Sequence, residues 1–270
     1  MNKHNLFVPM SLIIVGIILS GQSFAAINPD TIVGIWLFEG DAKDSSKNGN
    51  DGEFMNGATI VNEGKIQNQS LSLDGDDDYV LVPTSDSLDS TADEYTGVAW
   101  IKYARKGGAA PGGCCADDQM VLAFSTSWHN ILNVFGRGGR AIPGAVEVGS
   151  AELNPSWLSG PTPVDDDQWH HIAFTYDGAT KVIYVDGEVD VDQATGGTFG
   201  VFGIDLFVGG TPTERPANGL IDEVGMFNVP LEQADIQTLM NDGLARTIGI
   251  VAVSPKGRLT TMWAELKAAR

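Results

Sequence analysis

The stretch that decides the fold is WHHIAFTYDGATKVIYVDGEV, residues Trp169–Val189. It holds two runs of strand-forming residues in which larger apolar side chains alternate with other residues, and each run ends in Asp-Gly, at Asp177-Gly178 and Asp186-Gly187. Glycine adopts positive φ without strain and Asp tolerates it, so Asp-Gly between alternating runs is a strong hairpin signal. The stretch therefore predicts an antiparallel meander with one buried face.

Similar short runs recur on both sides of the meander, separated by Gly, Asp, Asn and Pro. They are Ile32–Phe38, Ser70–Leu73, Tyr79–Val82, Gly97–Ala104, Met120–Phe124, Ile131–Phe135, Leu206–Val208 and Leu220–Phe227. One segment predicts a helix instead, because Glu232–Asp242 follows Pro230, precedes Gly243 and carries an apolar stripe. Many short strands with one convincing helix favour an all-β sandwich over an α/β fold.

The two ends of the chain are expected to lie outside this sandwich. Residues 1–25 are typical of a secretory signal peptide, with an apolar run, Leu12–Leu19, and a small-x-small cleavage site at Ser23-Phe24-Ala25. The alternative is a retained membrane anchor, which the shortness of the apolar run disfavours. We expect a secreted or cell-surface protein that is not inserted in the membrane after cleavage, with its domain at residues 26–247. Residues 248–270 form a C-terminal tail, in which we expect a strand and a small amphipathic helix with basic residues.

The charge of the chain excludes one class of partner. It has 16 Lys and Arg against 35 Asp and Glu, a formal net charge of −19 at pH 7. Such a surface repels phosphate backbones, so we expect no binding of nucleic acid. The acidity attracts divalent cations, but solvation in a saline or secreted setting explains it equally well.

The two cysteines are adjacent, Cys114-Cys115, in a glycine-rich segment. Neighbouring cysteines can close only a strained ring, which would be relatively reducible. A disulfide between Cys114 and Cys115 would stiffen this loop in an exported protein. Two free thiols and intermolecular pairing are the open alternatives.

Four motifs give the chain a family resemblance. They are DSSKNGNDGEF at Asp44–Phe54, LSLDGDDDYVLVP at Leu71–Pro83, the meander itself, and GLIDEVGMFNVPL at Gly219–Leu231. In these motifs the sequence resembles the laminin-G-like, concanavalin A-like jelly-roll domains of secreted bacterial proteins. The resemblance implies a two-sheet antiparallel jelly-roll sandwich of about twelve to fourteen strands. To this sandwich the sequence pattern adds one short C-terminal helix and a small terminal helix.

The resemblance also implies a structural calcium ion. Related jelly rolls often hold Ca²⁺ between the first and the last strand, and the matching positions here are Glu39 and Asp222. Asp44 and backbone carbonyls near Gly75 could complete an oxygen shell. Asp222 also stands in a strand that is otherwise mostly apolar on both faces, so its carboxylate needs a partner. The alternative is that Asp222 caps loop amides and Glu39 is solvated.

Sugar-binding candidates lie in the middle of the chain, which varies within the family. Trp128 and Trp157 could stack on a sugar ring, unless either is part of the core. Their polar and charged companions are Asn130, Asn133, Arg137 and Arg140. We therefore expect a non-catalytic module that binds an extracellular glycan or a surface protein.

Two other functions stay open. One is a structural or adhesive protein–protein interaction domain that binds no sugar. The other is a β-glucan hydrolase of the same fold, which would carry a Glu-x-Asp-x-x-Glu motif. The nearest match, Glu188–Gln193, lacks the second Glu and directly follows a turn, so we expect no enzyme activity.

Overall fold

The computed structural model describes residues 27–91, 93–105, 118–124, 131–134, 142–198, 203–247 and 249. Within these residues the chain forms fifteen strands and two α-helices. The strands are β1 (Ile32–Trp36), β2 (Glu53–Met55), β3 (Thr59–Val61), β4 (Ser70–Asp74), β5 (Tyr79–Val82), β6 (Tyr95–Tyr103), β7 (Gln119–Ala123), β8 (Ile131–Val134), β9 (Ala145–Gly149), β10 (Trp157–Pro163), β11 (His170–Tyr176), β12 (Thr180–Val185), β13 (Glu188–Ala194), β14 (Leu206–Val208) and β15 (Asn218–Phe227). The helices are α1 (Gln233–Asp242) and α2 (Leu244–Thr247).

The strands form two antiparallel sheets. Sheet A has eight strands in the order β13-β12-β11-β6-β15-β4-β3, with β1 also paired to β15. Sheet B has seven strands in the order β10-β9-β8-β7-β14-β5-β2. The first strand, β1, pairs with the end of the last strand, β15. This is the predicted two-sheet sandwich of jelly-roll type, and its strands outnumber the twelve to fourteen expected.

The meander that decides the fold has the predicted topology. Strands β11, β12 and β13 are consecutive antiparallel neighbours in sheet A. At the first turn, Asp177 Oδ1 accepts hydrogen bonds from the backbone N–H groups of Ala179 and Thr180, at 2.8 and 2.6 Å. At the second turn, Asp186 and Gly187 have φ values of 50° and 79°. Two central residues with positive φ are what a tight two-residue hairpin turn requires.

Side chains alternate between the core and the outer face of each strand. On β11, Ile172 and Phe174 are buried between the sheets, whereas Ala173 points to the outer face of sheet A. Helix α1 covers part of that outer face, where Ile236 and Leu239 pack into a second apolar cluster. Sheet A is therefore buried on both sides along its centre, which explains the apolar strands of the sequence.

The sequence predicted some elements better than others. The expected helix, Glu232–Asp242, is confirmed as α1, with Glu232 at the N-cap position. Strands β2, β3, β9 and β10 and the short α2 were not predicted. The leader and nearly all of the tail lie outside the described residues, as do Cys114 and Cys115.

We expect replacement of Phe174 by Ala to lower the free energy of unfolding by about 3–5 kcal/mol. The ring is 2 % exposed at the centre of the core, so its loss leaves a cavity that the rigid sheets cannot fill. Val189→Ala is the control, because Val189 is 47 % exposed and should cost less than about 0.5 kcal/mol. Denaturant unfolding of both variants measures the difference, and equal losses would contradict the assigned core.

Candidate functional site

Three polar side chains lie in a row across the outer face of sheet B, and we call them the polar row. Asn133 of β8 is in register with Glu147 of β9, which is in register with Ser159 of β10. The strand neighbours Leu132 and Leu158 pack in the core. By alternation, the polar row points away from the core.

The polar row is buried, and its hydrogen bonding is incomplete. Glu147 is 3 % exposed, and its Oε2 accepts a hydrogen bond from Ser159 Oγ at 2.7 Å. Asn133 is 1 % exposed, and neither its Nδ2 nor its Oδ1 has a hydrogen-bond partner in the described structure. A buried amide without partners costs about 1–3 kcal/mol. A group that both donates and accepts hydrogen bonds would recover this cost.

Trp157 stands beside the polar row at the start of β10. It is in register with Gly149, and a Cβ added to that glycine would lie 2.6 Å from the indole ring. The indole therefore lies against the backbone at a position where only glycine leaves room. On the same face, Trp157 packs against an apolar cluster whose buried members are Tyr79, Met120, Ala123 and Phe207. Trp157 is partly buried, so it serves the packing of the sheet and still presents part of its ring.

The other predicted ligand-binding residues cannot be placed in this geometry. Trp128 and Asn130 fall in residues 125–130, and Arg137 and Arg140 fall in residues 135–141, both outside the described residues. These two segments directly precede and follow β8, the strand that carries Asn133. Their part in the site stays a prediction.

The sequence interpretation missed Glu147 and Ser159. Glu147 was overlooked because β9 itself was not predicted, although AVEVG at Ala145–Gly149 carries a usable signal. A carboxylate in a short apolar strand needs a partner, as Asp222 does in β15. Ser159 gave no such signal, since a serine beside Gly160 and Pro161 is typical of a loop.

The predicted calcium ligands Glu39 and Asp222 hold one loop, residues 64–69, on the side of sheet A. Glu39 Oε1 accepts hydrogen bonds from the backbone N–H groups of Asn68 and Gln69, both at 2.9 Å. Asp222 Oδ2 accepts hydrogen bonds from the N–H groups of Lys65 and Ile66, at 2.7 and 3.0 Å. The loop amides thus act as partners for both carboxylates.

Asp44, the third predicted ligand, orders a different loop. Its Oδ1 accepts hydrogen bonds from the N–H groups of Ile35 and Ser46, at 2.9 and 2.8 Å. Its Oδ2 accepts from Ser46 Oγ at 2.7 Å and from the N–H of Asn50 at 2.9 Å. Both carboxylate oxygens are therefore engaged within residues 35–50.

The fit of a metal ion to these acids is partial. Asp222 is fully buried, and its Oδ1 has no hydrogen-bond partner in the described structure, which leaves one oxygen available to a cation. The neighbouring Glu223 accepts a hydrogen bond from the N–H of Leu244 at 2.8 Å, and its Oε1 is also unpartnered. Among the described residues, however, no three Asp, Glu, His or Cys side chains are grouped as a metal site. A Ca²⁺ ion would need further oxygens from backbone or water.

Burial raises the pKa of both neighbouring acids. The pKa of Asp222 rises to about 6 because the carboxylate is desolvated, and the charge of Glu39 adds to the effect. The pKa of Glu223 rises to about 7, again mainly through desolvation, with contributions from Asp222 and Glu39. Both carboxylates are therefore protonated more readily in the folded protein than in the unfolded chain.

Glu188, the residue considered as the start of a glucanase motif, lies beside α1. Its carboxylate accepts hydrogen bonds from Gln233 Nε2 at 3.0 Å and Gln237 Nε2 at 3.2 Å. The two amides tie the start of β13 to the helix. The sixth position of the motif is Gln193 on the same strand.

The fold and sequence together define the family. Residues 74–237, more than half of the chain, match the family Laminin_G_3, described as the concanavalin A-like lectin/glucanases superfamily. The chain therefore belongs to this superfamily, as the motifs predicted. No protein of curated function matches the sequence.

Solved structures share the fold at low identity. Domain 4 of AbnA, a GH43 extracellular arabinanase from Geobacillus stearothermophilus, in complex with arabinotriose, has a TM-score of 0.60 and 17 % identity, over 78 % of this chain and 98 % of that one. The binding domain of Paraclostridial Mosquitocidal Protein 1 has a TM-score of 0.59 and 13 % identity, over 79 % of this chain and 52 % of that one. The botulinum neurotoxin serotype G binding domain has a TM-score of 0.54 and 12 % identity, over 77 % and 50 %. This chain thus spans about half the length of the two toxin domains.

The structure adds one observation on membranes. In the described part of the chain, no helix has the length and apolar character needed to cross a bilayer.

We expect the free energy of unfolding to fall as the pH rises from about 4 to about 7, through Asp222 and Glu223. In this range the unfolded chain has released protons that the folded carboxylates still hold, so raising the pH favours unfolding. With chelator present, Asp222→Asn should lessen this fall by on the order of 1–3 kcal/mol. Denaturant unfolding at several pH values measures it. Asp192→Asn, which changes an exposed acid of β13, is the control, and identical pH dependence in wild type and Asp222→Asn would contradict the prediction.

Proposed function

We propose that this protein is a non-catalytic module that recognises extracellular carbohydrate through the outer face of sheet B. The observation that carries the proposal is the buried, unpartnered amide of Asn133, in register with Glu147. Side-chain amides and carboxylates can hydrogen-bond the paired donor and acceptor functions of sugar hydroxyls. A water molecule could occupy the same place in the absence of sugar.

The surroundings of the polar row fit this chemistry. Binding sites for small molecules are mostly apolar surfaces that carry a few well-placed polar groups. Here Trp157 and the apolar residues of the same face adjoin Asn133, Glu147 and Ser159. The indole ring would contact the apolar face of a sugar, while the polar row would fix its orientation.

The comparisons support a binding role in general terms. One structural neighbour is the domain of an extracellular arabinanase that was solved with arabinotriose, and others are binding domains of toxins. Their low identity supports the fold alone, so arabino-oligosaccharides serve here only as a first probe. A surface protein as the partner is the alternative, and the experiment below separates the two.

We also propose export and a structural calcium ion. Export rests on the leader at residues 1–25 and agrees with the proposed extracellular glycan ligand.

The calcium ion would bind at Asp222 Oδ1 with Glu39 and Glu223 nearby, and it would neutralise the charge of the buried acids. Asp44 would not contribute, because its own loop engages both of its oxygens.

We expect a glycan array that includes arabino-oligosaccharides to identify a ligand, and Glu147→Gln and Trp157→Ala to weaken its binding by at least about tenfold. Glu147→Gln removes the charge but keeps the shape, and Trp157→Ala removes the stacking surface. Isothermal titration calorimetry measures both effects.

The matched control is Glu53→Gln, which changes an exposed acid on β2, at the opposite edge of sheet B. It should bind like the wild type. Retention of a protein partner from cell-surface extracts, with no sugar bound at millimolar concentration, would replace the carbohydrate proposal by the protein–protein alternative.

For calcium, we expect the thermal midpoint at pH 7.5 to rise by several degrees when excess calcium replaces chelator, since an ion that binds only the folded state stabilises it. The rise should be smaller at pH 5, where protons compete for Asp222 and Glu223. Asp222→Asn should abolish the difference, and the surface control Asp192→Asn should keep it. Equal midpoints with calcium and chelator would remove the ion from the proposal.

A further inference from the structure

Lys181 of β12 is a lysine buried in the protein interior. It is 0 % exposed. Its strand neighbour Ile183 packs between the two sheets, whereas Val182 and Tyr184 pack on the outer face of sheet A. Alternation therefore directs Lys181 toward sheet B. An ammonium group gives up its hydration at such a position, which is costly without close partners.

The partners of Lys181 belong to the turn between β9 and β10. Its Nζ donates hydrogen bonds to the carbonyl oxygens of Pro155 at 2.8 Å and Ser156 at 3.1 Å. A second link joins the same turn to the end of sheet A, because Asn154 and Gly196 exchange two backbone hydrogen bonds, at 2.8 and 2.9 Å. Lys181 thus connects β12 of sheet A to a turn of sheet B.

This turn sets the place of Trp157. The Ser156 carbonyl also accepts a hydrogen bond from the N–H of Ser150, at 3.2 Å. Together with the Trp157 indole it fills the space above Gly149, where an added Cβ would lie 2.4 Å from that carbonyl oxygen. Because Trp157 directly follows Ser156, a displaced carbonyl would displace the indole as well.

The ammonium group of Lys181 can lose its proton near neutral pH, because its surroundings lower its pKa. Burial lowers the pKa of Lys181 to about 8, and the negative charge of Glu147 opposes this shift. On the neighbouring strands, Lys181 is in register with Tyr176 of β11 and with the uncharged Gln193 of β13. The Tyr176 hydroxyl donates a hydrogen bond to the Gly197 carbonyl at 2.6 Å. A further acidic group in the described structure is Glu152 of the turn between β9 and β10, whose carboxylate accepts a hydrogen bond from Ser150 Oγ.

We propose that Lys181 is a positioning residue of the sheet B face: its ammonium group holds the Pro155 and Ser156 carbonyls and so keeps the Trp157 indole against Gly149, beside the polar row. Hydrogen bonds from a charged donor are stronger than those from a neutral amine. Loss of the proton from Nζ therefore loosens the turn and the indole. The role of this positioning in sugar binding rests on the function proposed above, whereas the positioning of Trp157 does not.

The positioning is tested by nuclear magnetic resonance of the Trp157 indole N–H, assigned through its loss in Trp157→Phe. In the wild type this resonance should shift with pH, with a midpoint near 8. In Lys181→Met, which keeps the length of the side chain but not its charge, the resonance should be displaced already at pH 7 and show no midpoint near 8. Lys102→Met is the control, because Lys102 lies on β6 and pairs with Glu63 at 2.7 Å.

The consequence for binding is tested with whichever glycan the array identifies. Affinity of the wild type should fall above pH 8, and Lys181→Met should bind about tenfold more weakly at pH 7 with no further fall at pH 9. The proposal would be overturned if the Trp157 resonance did not shift with pH and was not displaced in Lys181→Met. If Lys181→Met does not fold, the titration of the wild type alone decides. If the resonance titrates but no glycan binds, the positioning stands and the carbohydrate function fails.

Discussion

A polar group that is buried away from water must find a hydrogen-bond partner, and the placement of the loops in this protein depends on that constraint. Sheet A is covered on both faces along its centre, so polar side chains that are buried there have no direct route to solvent. Asp222 meets the constraint by binding the amides of residues 65 and 66. Lys181 meets it by binding two carbonyls of the turn before β10. In both cases a strand side chain determines where a loop lies.

The two sides of the sandwich differ in how far this constraint is met. On sheet A, loop amides bind one oxygen of Glu39 and one oxygen of Asp222, and the other oxygen of Asp222 has no hydrogen-bond partner in the described structure. On sheet B, the whole side-chain amide of Asn133 is without partners in the described structure. In the first arrangement, two carboxylates hold a loop in place, and a bound ion would stabilise them further. The second leaves a buried side-chain amide without hydrogen bonds in the described structure, which is why the proposed function is assigned there.

Sequence interpretation succeeded where local signals were strong. The Asp-Gly turns at residues 177–178 and 186–187 determine their hairpins through backbone conformation, and the pattern from Glu232 to Asp242 determines α1. It failed at β10, where Gly160, Pro161 and Pro163 are typical of a loop. Pairing with β9 makes a strand of this segment, and β10 is an edge strand of sheet B, where proline is tolerated. The calcium ligands were predicted through family resemblance, and only two of the three reach the same loop.

The sequence by itself determined the class of fold, the course of the central meander and the need of Asp222 for a partner. These features depend on neighbours along the chain or on the period of two in a strand, which can be read without knowing the pairing of strands. Only the tertiary structure decided that Asn133, Glu147 and Ser159 form one row and that Lys181 reaches the turn before Trp157. Both arrangements depend on the register between strands and on the packing of one sheet against the other, and these are set by contacts between residues far apart in the chain.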